Sequence, residues 1–155
     1  MDKKLITILL VRHAEYLTHD TNQPLSQAGH GRAELLTRMI GEVGITDIFS
    51  STYLRTIQTV EPLARKLGLK INNTMSKADE LVEQVLLKQD GKKILICGHT
   101  NTVPKIIKQL GGTSVDPIPD NEFDNMYILT HYTHNNGEHV STNIVQLKYG
   151  NLPER

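Results

Sequence analysis

The sequence predicts an α/β domain: a three-layer α/β/α sandwich around a mostly parallel central sheet. Two observations carry that expectation. Apolar runs at residues 5–11, 45–49 and 94–97 alternate with segments whose apolar residues recur at helical spacing. Each of these runs also empties into a polar segment bearing Arg or His, as strands of a parallel sheet do where ligands collect at their carboxyl ends. With 155 residues, 38% of them hydrophobic, the chain can bury one core and has no spare length for a second, so a single domain over 1–155 is expected.

Residues 5–11 read as a strand buried on both faces. Ser26 is a natural N-cap for a helix through about Val43, with Ala33, Leu36, Ile40 and Val43 on one face and Gly44 to end it. Residues 45–49 form the next strand. Beyond the turn Ser50-Ser51-Thr52-Tyr53, a second helix aligns Ile57, Val60, Leu63, Ala64 and Leu67, with Pro62 expected to kink or restart it and Gly68 to close it. Residues 69–73 suggest a short strand, and Asp79 a cap for a third helix facing Val82, Val85 and Leu86 inward. After the strand at 94–97, a helix at 102–110 takes Pro104 in its first turn and stops at Gly111-Gly112. A loop with Pro117 and Pro119 leads to strands at 126–130 and 142–147. Between them, Asn135-Asn136-Gly137 signals a hairpin turn, and His131, His134 and His139 around it are expected to be exposed rather than metal ligands. His19 and His30 fall in polar surroundings at the surface, and Lys92 and Lys93 read as a solvated strand entry.

Composition narrows the function. Lys+Arg and Asp+Glu each total 17, so no global field recruits nucleic acid or an anionic membrane. The single cysteine, Cys97, lies in an apolar strand, cannot form an internal disulfide, and reads as buried and inert. The apolar run after Lys3 and Lys4 is short, ends at Arg12 and lacks a small-residue cleavage site, so a cytoplasmic protein is expected. No Gly-x4-Gly-Lys-Ser/Thr run marks a P-loop, and no feature of the sequence sets an oligomeric state.

The chemistry concentrates at three strand ends. Leu9-Leu10-Val11 runs into Arg12-His13-Ala14-Glu15, the second strand leads to Arg55, and Ile94-Leu95-Ile96-Cys97 runs into Gly98-His99. Arginines offer planar, permanently charged forks to phosphate oxygens, and helix amino termini add oriented N–H donors. The array predicts a dianionic ligand. In order and content these segments resemble the histidine phosphatase superfamily, or phosphoglycerate mutase-like family: Arg12-His13-Ala14 for its opening Arg-His-Gly, then Leu25-Ser26-Gln27-Ala28-Gly29, Ser50-Ser51…Arg55…Gln58-Thr59, and the late Gly98-His99. The resemblance covers nearly the whole chain. It implies a phosphoglycerate mutase-like fold without a large cap insertion, His13 as nucleophile, a phosphohistidine intermediate, and Arg12, Arg55 and His99 as catalytic groups holding the phosphoryl group. Ala14 replaces the usual glycine, which needs only a negative φ there.

Such chemistry needs an unprotonated attacking nitrogen on His13 and preorganised positive donors, and it needs neither metal nor cofactor. It also needs a general acid. Family members often carry that group, usually Glu, in an insertion between the second helix and the second-histidine strand; here residues 68–93 hold little more than one strand and one helix. Glu15, Asp79, Glu80, Glu122 and Asp124 are the sequence candidates. The expected activity is hydrolysis of a phosphomonoester or phosphohistidine, in a phosphorylated small molecule or a phosphoprotein. A phosphomutase and a non-catalytic phospho-ligand binding module are the alternatives, the first disfavoured by the missing insertion and the second by retention of both histidines and both arginines.

Overall fold

The computed structural model describes residues 3–19, 22–73, 77–111 and 113–150. It contains β1 (Lys3–Arg12), α1 (Gln27–Ile40), β2 (Asp47–Ser50), α2 (Leu54–Leu67), β3 (Ile71–Asn72), α3 (Ala78–Leu86), β4 (Lys93–Gly98), α4 (Thr102–Gln109), β5 (Asn125–His134) and β6 (His139–Lys148). The strands form one sheet in the order β3-β2-β4-β1-β5-β6. The first four are mutually parallel, while β5 runs antiparallel to β1 and to the edge strand β6.

Strand periodicity builds the two core layers. Ile6, Ile8 and Leu10 of β1, with Ile94 and Ile96 of β4, face Val82 and Val85 of α3 and Val103, Ile106 and Ile107 of α4. The alternate residues Leu9, Val11, Leu95 and Cys97 face Leu36 and Ile40 of α1 and Val60, Leu63 and Ala64 of α2. Both faces of the central strands are thus apolar, the pattern that a covered parallel sheet requires.

Register brings the polar strand ends to one edge. Arg12 is paired with Gly98, and Cys97 with Ser50, so β1, β4 and β2 end almost level. The next residues along, His13, His99 and Ser51, therefore emerge together. The His13 N–H continues the ladder by donating to the Gly98 carbonyl at 2.9 Å.

Several local expectations are corrected. Ser26 does cap α1, its Oγ accepting from the Gly29 N–H, but the helix ends at Ile40 with Gly41 as C-cap, and Val43 is exposed. Gly44 instead supplies the left-handed residue of the following turn, at φ 91°. Helix α2 runs unbroken through Pro62, because burial of Val60, Leu63 and Ala64 holds the segment across the one missing backbone donor. Asp79 lies inside α3 behind Lys77 as N-cap and accepts from Gln109 at 2.6 Å. Leu86, at the end of that helix, is exposed, and Leu81 takes the inward place. Gly111 has the left-handed φ of a helix stop, 82°, while Gly112 lies outside the described residues. The last two strands are longer than predicted. His131 is buried, not exposed, because it stands on the inward face of β5; its Nδ1 meets the Thr142 hydroxyl at 3.0 Å. His134 is half-buried and His139 exposed. Lys93 opens β4 at the surface, as expected, and its Nζ also donates to the Val43 carbonyl at 2.8 Å.

Candidate active site

A cleft of about 490 Å³ opens at the carboxyl ends of β1 and β4, lined by Arg12, His13, Tyr16, Tyr53, Arg55, His99, Thr100, Asn101, Thr102 and Asp120. All four residues singled out from the sequence are therefore brought together. The rings of His13 and His99 are 5.3 Å apart.

His13 is 3% exposed and its Nδ1 lies 2.9 Å from the Ala14 carbonyl oxygen. A carbonyl only accepts, so Nδ1 carries the hydrogen and Nε2 keeps the lone pair. Burial, reinforced by the nearby charges of Arg12, His99 and Arg55, pushes the His13 imidazole down to about 3 despite the Ala14 carbonyl. The ring is thus held neutral with one defined basic nitrogen. Ala14 fits without strain, since no described non-glycine residue has positive φ.

Helix α2 organises the site with a short run of side chains. Arg55 enters the cleft, its guanidinium 4.6 Å from the Tyr53 ring centre and 5.4 Å from that of Tyr16. Among the described residues it has no ion pair or side-chain hydrogen bond, so no carboxylate of its own helix engages it. One residue on, Thr56 donates to the Tyr53 carbonyl at 2.8 Å and touches Ser51 Oγ at 2.6 Å, which in turn meets His99 Nε2 at 2.8 Å. With the Thr56 hydrogen committed to a carbonyl, Ser51 donates to Thr56, and His99 must donate from Nε2 to Ser51. Burial, then the charges of Arg55 and Arg12, push His99 down to about 4. Gln58 accepts from the Leu25 N–H at 2.8 Å, and Thr59 accepts from the Ala14 N–H at 2.9 Å. The last contact anchors the residue whose carbonyl orients His13.

Arg12 does more than the sequence suggests. It is 4% exposed, and Nη1 donates to the carbonyls of Asp120 at 2.7 Å and Glu122 at 2.8 Å, with that of Pro119 at 3.5 Å. Its guanidinium lies 4.0 Å over the Phe123 ring. One nitrogen therefore clasps the loop before β5, leaving the rest of the fork for a ligand. The Nε atoms of Arg12 and Arg55 are buried without partners.

None of the five carboxylates proposed from sequence lines the cleft. Glu15 forms a two-pronged pair with Arg32, at 2.8 and 3.0 Å, which holds its carboxyl below the usual range although burial opposes it. Asp79 is bound to Gln109, and Glu80 is exposed on α3. Glu122 is engaged by Asn125 at 3.0 Å and Lys148 at 3.3 Å, and buried Asp124 lies 3.5 Å from Lys148. Asp120, which sequence reading missed, is the carboxylate that does line it. Ser51, Thr56, Tyr16 and Tyr53 were likewise unassigned; the turn at Ser50-Ser51 was the available signal. Cys97 is buried, as expected, and burial pushes its thiol up. No three described His, Cys, Asp or Glu residues cluster as metal ligands, and no described helix is long and apolar enough to cross a membrane.

Comparison with known proteins finds phosphatases among the chains this one is similar to. A family model for the histidine phosphatase superfamily (branch 1) matches residues 8–76. An 8-oxo-(d)GTP phosphatase of Mycolicibacterium smegmatis is 34% identical over 117 residues, 66% of this chain; the chain spans only 36% of that relative's length. Among solved structures, the protein histidine phosphatase SixA complexed with tungstate superposes with a TM-score of 0.70 at 17% identity, covering 92% of this chain and 96% of that one. A mycobacterial glucosyl-3-phosphoglycerate phosphatase complexed with VO3 gives 0.66 at 12% identity, covering 89% and 96%.

Proposed function

We propose that the chain is a member of the histidine phosphatase superfamily and that it is a metal-independent phosphatase acting through a phosphohistidine on His13. The observation that carries the proposal is the pairing of His13 Nδ1 with the Ala14 carbonyl, which leaves a neutral imidazole with its Nε2 lone pair in a cleft walled by Arg12 and Arg55. In this reading Nε2 attacks phosphorus in line, the P–N bond forms as the bond to the leaving atom breaks, and the guanidinium groups hold the charged oxygens. His99, whose Nε2–H is committed to Ser51, takes a proton at Nδ1 as the anion arrives and becomes a charged donor. Water then attacks the phosphohistidine and releases phosphate. The arginines supply the charge stabilisation that a metal would otherwise bring.

The substrate is a phosphomonoester or a phosphohistidine, carried by a small molecule or a protein. The open cleft favours this over a phosphomutase, which must keep its intermediate from water while the product turns over. No residue of α3, the one helix described between α2 and β4, lines the cleft. A cytoplasmic location is part of this proposal.

The test is trapping. Brief reaction with labelled substrate and denaturation in alkali should leave acid-labile, alkali-stable phosphate on the wild type and none on His13→Ala, which should fold and still bind phosphate weakly. Turnover should survive EDTA and be blocked by vanadate. Normal turnover by the alanine variant would remove His13 from the chemistry, and loss with EDTA restored by a divalent ion would reject the metal-free route. A panel spanning alkyl phosphates, a nucleotide and a phosphohistidine protein then ranks substrates.

A further inference from the structure

We infer that Asp120 is the acid–base group of this site. Its carboxyl protonates the leaving oxygen or nitrogen as His13 attacks, and the resulting carboxylate takes a proton from the water that resolves the phosphoenzyme. Proton and charge balance over the cycle: one water is consumed, and the leaving group departs neutral. The inference rests on the phosphohistidine reading and adds the residue that moves the proton.

Three observations support it. Asp120 is the only carboxylate among the cleft-lining residues, and the other five candidates are either paired or lie away from the cleft. Its tether uses backbone, not side chain: the Arg12 guanidinium binds the Asp120 and Glu122 carbonyls and stacks on Phe123, so the loop is fastened to the residue preceding the nucleophile. The Asp120 side chain itself has no hydrogen bond or ion pair among the described residues and lies exposed at the cleft. A carboxylate at the edge of a phosphate site opposes binding of a dianion. A purely anion-binding cleft gains nothing from it, whereas one that must deliver and recover a proton does.

The test reads leaving-group dependence. For Asp120→Asn, kcat/KM is measured across aryl phosphates from p-nitrophenyl to phenyl and on to an alkyl phosphate. A lost general acid should cost about 100-fold on the alkyl ester, which leaves badly unprotonated, and within about threefold on p-nitrophenyl phosphate, steepening the dependence on leaving-group basicity. With p-nitrophenyl phosphate the variant should also accumulate phosphoenzyme, since the same carboxylate activates water. Asp120→Glu should restore part of the alkyl rate. Equal loss on every ester, or no loss on any, overturns the role of Asp120; a merely loosened loop would produce the first. Label on His13 in both proteins keeps the underlying reading intact in that event, while its absence from the wild type takes down both.

Discussion

Replacing Arg55 with lysine separates charge from shape at this site. The guanidinium has no described side-chain partner, and its contacts are the rings of Tyr53 at 4.6 Å and Tyr16 at 5.4 Å. Each ring contact contributes about 0.5–1 kcal/mol at a partly exposed site, and an ammonium keeps some of it, so stability should fall by no more than about 1 kcal/mol. For a chain of this size that is a melting shift of about 2–4 °C. Activity should suffer more. An ammonium cannot place two parallel N–H donors on phosphoryl oxygens, and the expected loss in kcat/KM is at least tenfold, about 1.4 kcal/mol of transition-state stabilisation. Steady-state kinetics on p-nitrophenyl phosphate beside a calorimetric melt gives both numbers from one preparation. A variant with near-wild-type kcat/KM removes Arg55 from the phosphate site, and a melting loss well beyond 4 °C recasts it as a structural residue.

Three further outcomes follow from the same geometry. His13 and His99 are pushed down to about 3 and about 4 from an ordinary 6.5, so the unfolded chain binds more protons between those values. Stability is full above pH 6.5 and falls on acidification toward pH 4, by up to about 1.4 kcal/mol per histidine per pH unit; a urea midpoint unchanged from pH 7 to 4.5 refutes the buried neutral pair. Thr56→Val removes the acceptor of the Ser51 hydrogen, which should turn to His99 Nε2 and move the His99 proton to Nδ1; nitrogen-15 shifts of the imidazole read the tautomer directly, and an unchanged spectrum contradicts the Thr56–Ser51–His99 chain. Thr59→Val leaves the buried Ala14 N–H without its acceptor, at a cost of about 1–3 kcal/mol, and should lower kcat alongside Tm; a Tm loss with kcat intact would show that Thr59 supports the fold and not the nucleophile's loop.

What could be read from the residues was whatever short-range pattern decides. Alternation along β1 and β4 announced strands buried on both faces, and Arg12-His13 and Gly98-His99 announced what stands at their ends, because strand register needs only the pleat and the pairing to bring them level. The failures share the opposite character. Gly44 looked like a helix stop, yet the chain had already turned at Gly41. Pro62 looked like a break, yet the buried face of α2 held the helix through it. His131 looked like part of an exposed hairpin because the turn signal at Gly137 gives no measure of how far the strands extend behind it.

The residue we infer to be the general acid was illegible for a related reason. Candidates near His13 in sequence, or in the interval where relatives carry an insertion, are the natural guesses; Glu15 satisfies the first condition and is lost to Arg32, 17 residues away. Asp120 reaches the cleft through a contact spanning 108 residues, in which Arg12 binds its carbonyl and not its side chain. No side-chain pattern encodes such a contact, since any residue could supply that carbonyl. What makes the position chemical is the coincidence of a loop held by its backbone with a side chain left unpaired. Arg12 thereby joins two parts of the site: the guanidinium proposed to hold the phosphoryl group also fixes the loop carrying the carboxyl. Loss of Arg12 should then erode both charge stabilisation and leaving-group protonation, and Arg12→Lys should steepen the leaving-group dependence of kcat/KM where Arg55→Lys lowers it uniformly. Parallel slopes for the two variants would mean that the loop holds its place without the clasp.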